Sequence, residues 1–386
     1  MRGTLKITAK IDHRMSFSLL FNIFLYALFF VLPYSIFAQT QYLVSINPTS
    51  GAYSIISSIP TVQYINSGRS TFDKVNGRFI IVGADGNFND SLYSIDVSSG
   101  NIVTRVPFPL GLGPNDNLSS LIFNNSDSTL YALLYLGTSQ LNYLVSLNPS
   151  TGTYILIDSI PGFQSIISGT QVIDDVNQTY SFVGLNQITF TSKLYTVDLV
   201  TRSTLYSPNF PNSTNQFDDI FNLKQDSLNN LIGIFNAFNS NIYQLVTVNK
   251  TTGIHTFIDT LRGFSNYVPF NSIYNKSANL YSFEARDQNS NTRLYSYDVT
   301  TANLVSSPIF PVLADTNDNV TELQIDNSTG IIYGLHWDND ITTGALEHNS
   351  LDMISVYPNP ASALINIDIG TENLVTVELF NSLVQL

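Results

Sequence analysis

A short strand signal recurs six times at almost constant spacing, and this recurrence limits the chain to a repeat architecture. The signal ends at Asn47 in YLVSIN, Asp96 in LYSID, Asn148 in YLVSLN, Asp198 in LYTVD, Asn249 in LVTVN and Asp298 in LYSYD. Successive copies lie 49, 52, 50, 51 and 49 residues apart. A period near 50 matches kelch-type propeller blades and is too long for leucine-rich or helical-pair repeats.

Each copy continues through a turn (NPTSG, DVSSG, NPSTG, NKTTG) into a second alternating run. Asn or Asp followed by Pro, Ser, Thr and Gly is turn chemistry, because these side chains cap their own backbone or tolerate positive φ. The two runs therefore form an antiparallel hairpin. A second hairpin lies between successive copies, its later strand legible as GRFIIVGA at 77, TLYALLYLG at 129, TYSFVGL at 179, NLIGIFN at 230, NLYSFEA at 279 and IIYGLHW at 331. Four short strands per repeat, rich in β-branched and aromatic residues and without helical periodicity, suit a radial array of four-stranded sheets.

The order of the pieces sets the topology. The array begins with one hairpin type at 42–58 and ends with the other at 319–337, six of each. A linear stack would expose half-blades with open hydrogen-bonding edges at both ends. The expectation is an all-β, six-bladed propeller whose N-terminal strands complete the last blade. The copies also alternate in kind: Asn47, Asn148 and Asn249 are each 101 residues apart, so a two-blade unit is repeated three times.

Composition narrows the function. The net charge is −13 and only 12% of residues are charged. No basic run follows the first 40 residues, which excludes nucleic acid as a partner, since phosphate binding needs clustered Lys and Arg. Cysteine is absent, so neither a disulfide framework nor a thiolate metal site is available.

If the first strand of each blade lines the channel, every second blade opens with an acidic residue. Asp116, Asp218 and Asp318 are 102 and 100 residues apart and would converge on one axis under threefold symmetry. Oxygen ligands without Cys or His suit a hard cation such as calcium, with Asn117 and Asn319 adding carbonyls. The same residues also fit as turn residues that accept backbone amides at strand starts. Catalytic signatures are lacking: no Gly-x-Ser-x-Gly or His-Glu-x-x-His stretch occurs. Of the four histidines, none falls on an expected innermost strand. His255 belongs to an outer strand, and His336 beside Trp337 reads as packing.

The two ends carry an address. Lys6, Lys10 and Arg14 precede the apolar run SFSLLFNIFLYALFFVL, and Ala38 offers a cleavage point, so residues 1–38 read as a signal peptide. The run also approaches the roughly 20 residues of a membrane-spanning helix, which leaves an uncleaved anchor as the other reading. Beyond the propeller at 41–338 and a polar linker at 339–350, residues 351–386 contain Val356-Tyr357-Pro358-Asn359-Pro360-Ala361-Ser362 followed by period-two strands. This stretch resembles the C-terminal sorting domain of cargo exported by the type IX secretion system of Bacteroidota. The resemblance implies a partial β-sandwich with Tyr357, Pro358, Asn359 and Pro360 as sorting motif, recognition by the type IX machinery, and secretion or outer-surface display without a transmembrane segment after signal removal. Family members run on through further strands, whereas this chain ends at Leu386, so the domain reads as truncated.

The function expected from these features is a non-catalytic binding protein that takes a glycan or protein partner on its ring face, with no obligatory cofactor. A calcium-dependent propeller hydrolase or lyase working at the central channel is the alternative. A purely structural role in a surface layer is equally consistent with the low charge.

Overall fold

The computed structural model describes residues 40–338, apart from the short stretches 60–61, 86, 108–115, 168, 187, 190, 211–217, 238–241 and 311–318; in the tail it describes 355–357 and 366–368. The chain divides into two compact units, the first ending at Asp340 and the second spanning Ile341–Leu386. The described residues are strands and turns, with no helix. No helix among them is long and apolar enough to cross a membrane.

The first unit is the six-bladed propeller that the repeat predicts. Two strands, β1 (Thr40–Ile46) and β2 (Tyr53–Ile59), precede blade 1, which contains β3 (Tyr64–Asp73), β4 (Arg78–Ala84), β5 (Asp90–Asp96) and β6 (Ile102–Pro107). Blade 2 follows as β7 (Asn117–Asn124), β8 (Thr129–Leu136), β9 (Leu141–Leu147) and β10 (Tyr154–Ile160). In blade 3 the inner strand is split into β11 (Ser165–Ile166) and β12 (Val172–Asp174), before β13 (Thr179–Asn186), β14 (Thr191–Asp198) and β15 (Ser203–Tyr206). Blade 4 holds β16 (Asp219–Gln225), β17 (Leu231–Ala237), β18 (Ile242–Val248) and β19 (His255–Leu261). Blade 5 holds β20 (Phe264–Asn275), β21 (Leu280–Asp287), β22 (Thr292–Asp298) and β23 (Leu304–Ser306). The chain then supplies only β24 (Asn319–Asp326) and β25 (Ile331–Asp338) to blade 6.

Blade 6 is completed from the other end of the unit, in the order β2-β1-β25-β24. The pairing of β1 with β25 is antiparallel and unbroken from Thr40↔Asp338 to Ile46↔Ile332. The innermost strands β3, β7, β12, β16, β20 and β24 touch in that cyclic order, and β24 returns to β3. The ring is closed, and β1 and β25 cover one another's edges.

Six apolar clusters fill the gaps between neighbouring blades. One joins Ile80, Val82 and Leu92 of blade 1 to Leu118, Leu121 and Phe123 of blade 2. Another joins Leu43, Ile59 and Leu335 of blade 6 to Phe79, Ile81 and Tyr93 of blade 1. Because both faces of each sheet are covered, middle strands such as β4 are buried almost throughout, while the outer β6 is largely exposed. This sandwiching explains why FIIVGA and LYALLY read as continuous apolar runs.

The alternation of copies is also structural. In blades 2, 4 and 6 the innermost strand carries one bulge, between Ser119 and Ile122, Phe221 and Lys224, or Thr321 and Gln324. Ser120, Asn222 and Glu322 occupy these bulges at φ of 57°, 52° and 60°. Blades 2, 4 and 6 also end in seven-residue outer strands, whereas β15 and β23 are cut to four and three.

In the second unit, β26 (Ser355–Tyr357) and β27 (Asn366–Asp368) form a short antiparallel ladder. Tyr357 ends β26 opposite Asn366. Pro358, Asn359 and Pro360 lie outside the described residues, as do residues 1–38, expected above to be a signal peptide, and residues 339–350, expected to be a linker.

Candidate binding cleft and channel

The end of the ring at which the innermost strands begin carries a cleft of about 290 Å³ between blades 2 and 3. Asn117, Ser119 and Ser120 of β7, Tyr135 of β8, Asn142 of β9 and the 164–167 stretch entering β11 line it. Neighbouring structure holds these groups in place. Arg69 of blade 1 is buried and reaches across with Nη2 to Asn117 Oδ1 at 2.7 Å, while its Nη1 pairs with Asp90 Oδ2 at 2.7 Å. Asn142 Nδ2 donates to the Phe163 carbonyl at 3.1 Å. Ser120 is fixed by its own strain-bearing backbone, whose carbonyl accepts the Tyr180 hydroxyl at 2.8 Å. The cleft thus presents hydroxyls, amides and one half-buried tyrosine, and no Asp, Glu, His, Lys or Arg is among its lining residues.

The Tyr–bulge bond recurs with the symmetry and then fails once. Tyr281 OH donates to the Asn222 carbonyl at 2.5 Å. Phe79 stands at the third position and has no hydroxyl, and there Ser70 Oγ lies 3.5 Å from the Glu322 carbonyl.

Two of the three candidate axial carboxylates can be placed. Asp116 precedes β7 and accepts the Gly137 N–H through Oδ1 at 2.7 Å, so it ties the start of β7 to the end of β8 in its own blade. Asp218 is buried just before β16. Burial pushes the His255 imidazole pKa down, and the nearby Asp218 charge pushes it back up. Asp318 lies outside the described residues. No group of three acidic or histidine side chains spaced to hold a metal occurs among the described residues. His255 does lie on the outermost β19, and His336 is a buried residue of β25 whose ring stacks on Tyr42 at 5.9 Å.

Buried charge is the feature that repeat-based reading missed. Lys224 of β16 is half-buried, and desolvation of its ammonium lowers its pKa to about 8, with the Glu322 charge acting in the opposite sense. Burial raises the Glu322 carboxyl, which Ser70 and the Gly68 N–H at 2.8 Å hold in part toward ionisation. Glu284 of β21 is pushed up to about 8 by burial, against the pull of Asn271, whose Nδ2 donates to it at 2.6 Å. The signal was present as a break in symmetry. Lys224 stands where Ile122 and Gln324 stand in blades 2 and 6, and Glu284 where Val82 and Val183 stand in blades 1 and 3.

No protein-family profile and no curated protein matches the sequence. Among solved structures, a TolB candidate from Agrobacterium tumefaciens superposes with a TM-score of 0.53 at 8% identity, over 78% of this chain and 99% of that one. The likeness shows a propeller fold and nothing of activity. TolB from Acinetobacter baumannii gives a TM-score of 0.41 at 13% identity, over 79% and 65% of the two chains. An oligogalacturonate lyase in complex with manganese gives 0.45 at 12%, over 79% and 98%.

Proposed function

We propose that the propeller is a non-catalytic binding module and that the cleft between blades 2 and 3 takes a glycan. The observation that supports this reading is the lining itself. Sugar hydroxyls need alternating donors and acceptors plus an aromatic face. Asn117, Ser119, Asn142 and Gln164 supply the first and Tyr135 the second. The surrounding surface, poor in charge and rich in Asn, Ser and Thr, suits an uncharged ligand.

Calorimetric titration of the full chain with neutral oligosaccharides chosen from an array, with and without calcium, tests the reading. Tyr135→Ala is expected to weaken binding at least tenfold, about 1.4 kcal/mol, without shifting the melting temperature. Absence of any bound glycan, or a variant that binds as well as the parent, overturns it. Calcium-dependent cleavage of a bound oligosaccharide would favour the hydrolase or lyase alternative, with Asp116, Asp218 and Asp318 as metal ligands.

The leader and the YPNPAS stretch support export by type IX secretion to the medium or outer surface. Removing residues 351–386 should retain the protein inside a type IX-competent bacterium; unchanged surface delivery sinks this part.

A further inference from the structure

Three polar side chains of the cleft stand in line across blade 2. Asn117 is opposite Tyr135 in the ladder of β7 with β8, and Tyr135 is opposite Asn142 in that of β8 with β9. Residues directly opposite in an antiparallel sheet project from the same face. Leu133 and Leu144, two residues from Tyr135 and Asn142 along their strands, pack against Tyr180 and Phe182, so this is the face that meets blade 3. With strands spaced about 4.8 Å apart, the two carboxamides flank Tyr135 at a separation of about 10 Å.

Each carboxamide is held by a partner that decides which end it shows. Arg69 Nη2 donates to Asn117 Oδ1 at 2.7 Å, and the buried Arg69 is anchored in turn by Asp90 at 2.7 Å. A guanidinium can only donate, so Asn117 cannot turn round without setting N–H against N–H. Its Nδ2 is left for the cleft. On the other side Asn142 Nδ2 donates to the Phe163 carbonyl at 3.1 Å, and a carbonyl can only accept. Asn142 therefore offers the cleft its Oδ1, which has no hydrogen bond among the described residues.

The arrangement breaks the threefold repeat. Thr170 and Asn271 stand where Arg69 stands, Asp219 and Asn319 where Asn117 stands, and Tyr243 and Gln41 where Asn142 stands. Of the three equivalent blades, only blade 2 combines a neighbouring guanidinium with two carboxamides and a tyrosine between them.

We infer that Arg69 is a positioning residue that gives the cleft a fixed hydrogen-bond polarity: the sugar hydroxyl facing Asn117 serves as acceptor, and the one facing Asn142 serves as donor. This rests on the glycan reading and adds to it the orientation in which the ring is held over Tyr135. A ligand of the wrong polarity leaves both partners unpaired at the point of contact, which is the physical source of the selectivity.

The test is calorimetric titration of the full chain with derivatives of the neutral oligosaccharide it binds, each carrying fluorine or an amino group in place of one hydroxyl. Fluorine can accept but not donate, and an ammonium group can donate but not accept. At the hydroxyl facing Asn117, fluorine should be tolerated and the amino group should weaken binding about tenfold; at the one facing Asn142 the order should reverse. Asn117→Asp exchanges a donor for an acceptor at constant shape and keeps a partner for Arg69, so it should swap the two responses at the first position alone. Arg69→Gln, whose amide accepts as well as donates, should let Asn117 turn and bring the two derivatives within about threefold of one another there. Equal responses at every hydroxyl, or a preference unmoved by Asn117→Asp, overturn the inference and leave the glycan reading standing. If no oligosaccharide binds the parent, both fall. The contact itself is measurable without ligand: a double-mutant cycle of Arg69→Gln with Asn117→Ala, read by urea unfolding, should show coupling of about threefold or more in the unfolding equilibrium constant. Strict additivity is equally fatal to the role given to Arg69.

Discussion

Glu284 shows how one residue departs from its repeat. Its threefold counterparts are Val82 and Val183, both buried core residues, and it lies where blade 5 meets blade 6. Asn271 bridges that junction, with Nδ2 near both Glu284 Oε2 at 2.6 Å and the Val320 carbonyl of blade 6 at 3.2 Å. With its pKa raised from 4.5 to about 8, the folded protein keeps a proton that the unfolded chain releases. The contribution to stability is thus complete below pH 4.5 and is lost as pH rises through 8. The loss is at most about 1.4 kcal/mol per pH unit across that window. Glu284→Gln, measured by urea unfolding between pH 5 and 9, should flatten this dependence and be more stable than the parent at pH 9. Parallel pH curves for the two proteins would show that the carboxyl is ionised in the fold.

At the scale of the element, the hairpin turns explain both the repeat's strength and its weak copies. Asn47 Oδ1 accepts the Thr49 and Ser50 N–H groups at 2.9 and 3.1 Å, and Asp298 accepts those of Thr300 and Thr301 at 2.8 Å. Four turns then place glycine at positive φ: Gly51, Gly100, Gly152 and Gly253. In blades 3 and 5 the same place is held by Arg202 at 58° and Ala302 at 59°. A side chain in the left-handed region costs about 1 kcal/mol relative to glycine. Ala302→Gly should therefore raise the melting temperature by a degree or more. Gly51→Ala should lower it more sharply, because a Cβ there would stand 2.1 Å from the Ile309 carbonyl oxygen of blade 5. Differential scanning calorimetry of the pair checks the signs, and a stabilised Gly51→Ala would contradict the packing.

At the scale of the whole molecule, closure by the first two strands makes the point at which the propeller chain begins arbitrary. Thr40 is already paired with Asp338 across the junction. A propeller that starts at Gln63 and carries residues 40–59 on a short linker after Asp338 should keep the parent's circular dichroism and melt within a few degrees of it. Simple deletion of residues 40–59 should instead expose the edge of β25 and drive association, visible by light scattering. A monomeric, cooperative deletion variant would refute the role given to β1.

The sequence by itself determined the blade count, the positions of the second and third strands of each blade, the ring closure and the alternation of copies. All of these follow from local chemistry repeated at a fixed period: turn residues, alternation on outer strands, apolar runs on strands sandwiched between neighbours. The inner bulges at Ser120, Asn222 and Glu322 were not legible, since no residue type announces a positive φ there. The burial of Glu284 and Glu322 was hidden for a related reason, because the desolvation of a charge depends on which blades lie beside it. Only the tertiary structure brought Asn117, Tyr135 and Gln164 around one cleft, and it turned Asp116 to the Gly137 amide. Period and pattern are properties of the chain along its length, whereas a cleft or a channel is made by residues that meet only after the ring has closed.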